Sequence, residues 1–126
     1  MSTNFYFVKK PCPHCGVGGT KLHIGKSSAG WCFALHVYPE YQIRTLQDWQ
    51  RVFQEGEIQA ESGEVMDVER FLEVVKERFH PKPHSKEWLI QNQAVPGPNN
   101  LARCKIAGNC IGHGGETWDL LIGDFS

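Results

Sequence analysis

Lys21-Leu22-His23-Ile24-Gly25-Lys26, then Ser27-Ser28-Ala29-Gly30, then Trp31-Cys32-Phe33-Ala34-Leu35-His36-Val37-Tyr38, is the stretch that decides the fold. Side chains alternate along an extended chain, so Leu22 and Ile24 share one face and His23 takes the other. Ser27 to Gly30 is turn chemistry. The run from Trp31 to Tyr38 is apolar on both faces except for His36, which predicts a strand lying centrally in a sheet. The two strands form a hairpin. Cys32, inside the apolar run, reads as a small buried hydrophobe. His36 is packed or faces His23 across the hairpin, and if both rings point outward on one face they form a two-histidine site.

Working outward, Asn4-Phe5-Tyr6-Phe7-Val8 is aromatic and β-branched and predicts another strand. Thr45-Leu46-Gln47-Asp48 resembles a capping box, with Leu46, Trp49 and Phe53 at helical spacing and Gly56 as the stop. Residues 57–65 read as a short hairpin or loop around Ser62-Gly63. Asp67 caps a second helix with Val68, Phe71, Leu72, Val75 and Phe79 inward, ended by Pro81 and Pro83. Trp88 to Gln93, Leu101 to Ile106 and Thr117 to Ile122 read as strands. Strands, then two helices, then strands predict an α+β fold with a mostly antiparallel sheet.

The chain has 126 residues, 40% hydrophobic and 21% charged, which suits one domain over residues 1–126 with a real core. Thirteen Lys and Arg against fourteen Asp and Glu leave a net charge of -1, which argues against a protein held to phosphate by bulk charge. A local cluster of Lys9, Lys10, Lys21 and Lys26, with Phe5, Phe7 and Trp31 nearby for base stacking, keeps nucleic acid as an alternative partner. No apolar run approaches the roughly 18 residues of a membrane helix, and the first residues lack a signal-type apolar segment. The expected setting is the cytosol.

Five cysteines, at 12, 15, 32, 104 and 110, make an odd number that fits a disulfide framework poorly. Cys12-Pro13-His14-Cys15-Gly16 has the spacing of a zinc knuckle, in which the backbone curls so that both sulfurs meet one ion. Cys110-Ile111-Gly112-His113 repeats the two-residue gap. Cys12, Cys15, Cys110 and His113 together make a Cys3His zinc site joining the N- and C-terminal strand regions, with Cys104 or His23 as competitors for a distal position. A redox reading of the C-x-x-C is weaker, because Gly16-Val17-Gly18-Gly19 follows where a helix belongs. Reduced, unliganded cysteines are the plain alternative.

Three stretches carry a resemblance: the Cys12 to Gly16 knuckle, the segment from Leu22 to Pro39, and Cys110-Ile111-Gly112-His113-Gly114. Over nearly its whole length the chain resembles a family of small proteins encoded by bacteriophages and prophages. That family has no settled activity, so the resemblance implies a bacterial cytosol and a phage origin but no mechanism. By analogy with other small phage proteins, the expected work is binding a host protein, in takeover or counter-defence.

Two stretches offer chemistry. Gly25, Lys26, Ser27 and Ser28 at a strand end combine an ammonium, hydroxyls and backbone N–H groups, the donors an anion needs; the bland reading is a turn whose serines satisfy their own backbone. Downstream, glycines surround His113, with Glu116 and Asp119 as acid/base groups or as acceptors for a ligating imidazole. A small enzyme built on His23, Lys26 and Glu116, with Glu116 as base toward metal-bound water, is the competing class. Three thiolates, however, favour closed structural zinc.

Overall fold

The structure, a computed structural model, describes residues 2–9, 21–123 and 125. These contain β1 (Ser2–Lys9), β2 (Lys21–Ser28), β3 (Phe33–His36), α1 (Leu46–Val52), β4 (Gly56–Ala60), β5 (Val65–Met66) and α2 (Val68–Lys76). They continue with α3 (Lys86–Gln91), β6 (Ala94–Pro96), β7 (Ala102–Cys104), β8 (Cys110–His113) and β9 (Trp118–Leu121). Seven strands form one sheet in the order β5-β4-β1-β2-β3-β9-β8, antiparallel throughout except for the parallel pair β3–β9. The fold is α+β, and the hairpin β2–β3 sits inside the sheet as its apolar pattern requires.

One face of the sheet buries Phe5 and Phe7 of β1, Ile24 of β2, Phe33 and Leu35 of β3 and Ile58 of β4 against Trp49 of α1 and Phe71 and Val75 of α2. Both helices start where the sequence places them. Thr45 Oγ1 accepts from the Asp48 N–H at 3.1 Å and the Asp48 carboxylate accepts from the Thr45 N–H at 3.2 Å, a reciprocal cap. Asp67 caps α2 by accepting from the Arg70 N–H at 2.8 Å.

Four expectations are corrected. Helix α3 stands where Trp88 to Gln93 reads as a strand, making three α-helices among the described residues instead of two. Its start is set by Ser85, whose hydroxyl accepts from the Trp88 N–H at 3.1 Å. Helix α2 ends at Lys76, ahead of the prolines, and Phe79 is 73% exposed instead of core. Leu101 to Ile106 shortens to β7, which pairs with β6 in a separate two-stranded ribbon. Strand β2 runs through Ser28, so the turn reduces to Ala29 and Gly30, the latter at φ +80°.

A bulge in β2 changes which of its side chains share a face. Phe5 lies opposite Gly25 and Tyr6 opposite His23, so Ile24 is the extra residue. Ile24 and Gly25 are both buried, and the alternation restarts one residue late. His23 and Lys26, which strict alternation would put on opposite faces, thereby share the face away from the helices. At Gly25 a Cβ would overlap the Ala34 carbonyl oxygen and the Phe33 ring, so only glycine permits this approach of β2 to β3.

Candidate functional site

Cys104 closes β7 and Cys110 opens β8, with the chain turning back between them through Gly108 at φ +58° and a Cys110 N–H to Ala107 carbonyl bond of 3.0 Å. His113 ends β8. One ligand atom from each of Cys104, Cys110 and His113 falls within 4.8 Å of the others, a group that could hold a metal ion. The donor chemistry fits: two sulfurs and an imidazole are what a borderline-soft divalent cation takes. His113 Nε2–H donates to the Cys104 carbonyl at 2.9 Å, which leaves Nδ1 as the unprotonated nitrogen of the neutral ring. The sulfurs of Cys104 and Cys110 also lie at disulfide distance, a pairing that the odd cysteine count does not suggest.

The frame behind this group is an ion pair. Asp119 of β9 is 3% exposed; it accepts from Arg103 Nε at 2.7 Å and from the Cys104 N–H at 2.9 Å. Arg103 also donates to the carbonyls of Glu116 and Trp118, at 2.7 and 3.0 Å. Asp119 is thus an acceptor beside the imidazole, 3.8 Å from His113 Nε2, but its main work is to pin β7 to β9. Nothing in the sequence singles out Arg103; its only signal is its place next to Cys104.

Of the expected ligands, Cys110 and His113 come together, and Cys104 joins them. Cys12 and Cys15 lie outside the described residues, as do Lys10 and His14. His23 is in a different place. It lines an open hollow of about 790 Å³ with Tyr6, His36, Tyr38, Glu40 and Phe125. Glu116 lines another hollow, of about 780 Å³, together with His113 and Lys76. The structure therefore does not bring His23 and Glu116 to one pocket, whereas Glu116 and His113 do share one.

His23 and His36 face each other across β2 and β3, with Nδ1 to Nδ1 at 3.0 Å. His23 Nε2–H donates to Asn4 Oδ1 at 2.8 Å, and the Tyr38 hydroxyl donates to the His23 carbonyl at 2.9 Å. Burial, then the charges of His36 and Lys26, push the His23 pKa down to about 4. Its folded value lies below the ordinary 6.5, so the unfolded chain binds the extra proton between those two values. In chelator-treated protein this stabilisation is complete above about pH 6.5 and disappears as pH falls to about 4. Solvent screening of the half-exposed ring reduces the loss to on the order of 1–2 kcal/mol. Urea midpoints should fall over that window in the wild type and stay flatter in His23→Gln.

Gly25 to Ser28 is strand instead of loop, and its end is occupied by a cation. The Arg78 guanidinium donates to Ser27 Oγ at 2.7 Å, to the Ser28 carbonyl at 2.5 Å and to the Trp31 carbonyl at 2.9 Å. His80 and His84 are half-buried in a ring stack with Trp88, the centroids 4.6 and 3.9 Å apart. Cys32 is buried at 4% exposure as expected, and burial, then the nearby Asp119 charge, push its thiol up to about 11. No helix among the described residues is long and apolar enough to cross a membrane. Comparison with known protein families, curated proteins and solved structures yields no match to this chain.

Proposed function

We propose that this chain is a zinc-holding binding protein that docks on a host protein in the bacterial cytosol and does not act by catalysis. The observation that carries the reading is the convergence of Cys104, Cys110 and His113 beside β8, an edge strand of the sheet. Ile106 and Ile111, 64% and 46% exposed, lie in the turn before that edge and on the edge itself. An edge strand with apolar side chains is a template for a partner's strand, and a metal beside it would stiffen that template. The separation of His23 from Glu116 removes support from the three-residue enzyme. The resemblance to phage proteins supplies the host, and the net charge of -1 weighs against nucleic acid.

Of the knuckle pair Cys12 and Cys15, Cys15 belongs to this reading as a further ligand. Val8 pairs with Lys21, and both His36 and Cys110 pair with Leu121, so Lys9, Lys21 and Cys110 share one end of the sheet. From β2 to β8 is three strand spacings, about 14 Å. Cys15 is six residues from Lys21 and has a reach of about 20 Å. Cys12, with about 10 Å of reach from Lys9 against about 19 Å across four spacings, falls short of Cys110, so Cys15 is the knuckle sulfur that this geometry supports.

Elemental analysis of protein purified under reducing conditions is expected to give about one zinc per chain, lost in Cys110→Ser and in Cys15→Ser alike. Zinc retained in Cys15→Ser would confine the site to the β7–β8 end; no zinc in the wild type would sink the reading. A second reading comes from the disulfide distance of Cys104 and Cys110. The same sulfurs cannot hold both a metal and each other, so oxidised protein is expected to show two fewer free thiols and no zinc. For the docking function, Ile106→Asp with Ile111→Lys should release a captured host protein while zinc content stays unchanged. Capture that instead depends steeply on salt and is competed by added single-stranded DNA would favour the nucleic-acid alternative.

A further inference from the structure

We propose a second metal site at His23 and His36, separate from the cysteine cluster, which takes a divalent cation of tetragonal preference such as Ni(II) or Cu(II). His23 Nε2–H is committed to Asn4 Oδ1, so its neutral ring offers the Nδ1 lone pair toward His36. His36 Nδ1 sits 3.0 Å away, and one proton bridges the two nitrogens. A metal ion takes both Nδ1 lone pairs in place of that proton when the His36 ring adopts its Nε2–H tautomer.

Distance selects the class of ion. Two nitrogens bound at about 2.05 Å stand about 2.9 Å apart at a right angle and about 3.35 Å apart at the tetrahedral angle. The separation of 3.0 Å lies nearer the right angle, the geometry of square-planar or octahedral ions and not of tetrahedral zinc. Asn4 fixes the His23 ring as a carbonyl or carboxylate fixes a ligating histidine elsewhere. Tyr38 Oη, 3.2 Å from His36 Nδ1, is a third oxygen or nitrogen atom at the point of closure. Remaining coordination positions open to the hollow of about 790 Å³, which Glu40 also lines and where Phe125 packs 4.9 Å from both imidazole centroids. The bulge at Ile24 makes the site possible, because it sets the phase by which His23 and Asn4 meet on the outer face.

The test uses the full chain with zinc already supplied, so that the cysteine cluster does not compete. Equilibrium dialysis against Ni(II) is expected to add about one nickel per chain, with affinity at least tenfold weaker in His23→Ala and in His36→Ala. Asn4→Ala, a positioning change, should weaken it by 10- to 100-fold. Cys104→Ser and His113→Ala should leave nickel binding unchanged, which separates this site from the zinc reading. In the wild type, the first ring resonances to shift or broaden with nickel should be those of His23 and His36. No added nickel, nickel retained in both histidine variants, or first perturbation at His80, His84 or His113 would overturn the proposal.

Discussion

Asp119→Ala lowers stability by about 3–5 kcal/mol, a large share of the roughly 5–15 kcal/mol that holds a domain folded. The Asp119 side chain is 5% exposed and that of its partner Arg103 14%, so both groups have left water. Removing one leaves a desolvated guanidinium and strips the Cys104 N–H of its acceptor. Asp119→Asn keeps an oxygen for that N–H and should cost less. Replacing both members of the pair with apolar residues, Asp119→Leu with Arg103→Met, should cost less than the sum of the single changes, since neither charge is then stranded. Urea midpoints of the single and double variants measure this. A loss below about 1 kcal/mol in Asp119→Ala would show that water reaches the pair and that the cysteine cluster is not pinned by it. Zinc content should fall with stability, because β7 carries Cys104 and is tied to β9 through this carboxylate.

Trp49→Ala is expected to cost a similar amount, about 3–5 kcal/mol, for a different reason. The indole is fully buried, stacks on Phe53 at 5.7 Å and meets Tyr38 edge-on at 5.9 Å. Its Nε1–H donates to the His36 carbonyl at 2.7 Å, so one side chain both fills the core and holds the backbone that carries a histidine of the second site. Trp49→Phe retains most of the packing and removes that donor; its expected cost is about 1–3 kcal/mol. Thermal or urea unfolding of the two variants separates packing from hydrogen bonding. Equal costs would mean that the hydrogen bond, and not the ring volume, dominates.

Where the sequence reading succeeds, the signal is local. The capping box at Thr45 and the cap at Asp67 lie within three residues of the groups they bind, and the Ser62-Gly63 turn closes β4 onto β5 with Gly63 at φ +93°. Where it fails, a local preference is opposed by a neighbour. Trp88, Leu89 and Ile90 are apolar enough for a strand, yet Ser85 offers a cap three residues ahead and the segment winds into α3. Phe79 continues the apolar stripe of α2, but the residue before it, Arg78, finds three acceptors across the sheet and holds the chain out of the helix. Three bonds to a half-buried guanidinium outweigh one more turn of helix.

The candidate sites divide in the same way. The two-residue gap between Cys110 and His113 marks them as partners, and the facing of His23 and His36 follows from hairpin pairing. In the sequence Cys104 is only a competitor for a ligand position, because its meeting with Cys110 depends on β7 docking across Asp119. Lys26 and Ser27 keep the residue types of an anion site, but Ser27 is met by Arg78, a residue fifty-one positions away.

By itself, then, the sequence determined the β1, β2 and β3 strands, the caps that start α1 and α2, and the spacing that marks Cys110 and His113 as partners, all of which depend on neighbours a few bonds away. Only the tertiary structure decided the parallel closure of β9 on β3, the burial of the Arg103–Asp119 pair and the division of the histidines between two hollows. Those depend on contacts between segments that are distant along the chain, and a bulge of one residue in β2 is enough to change which side chains share a face.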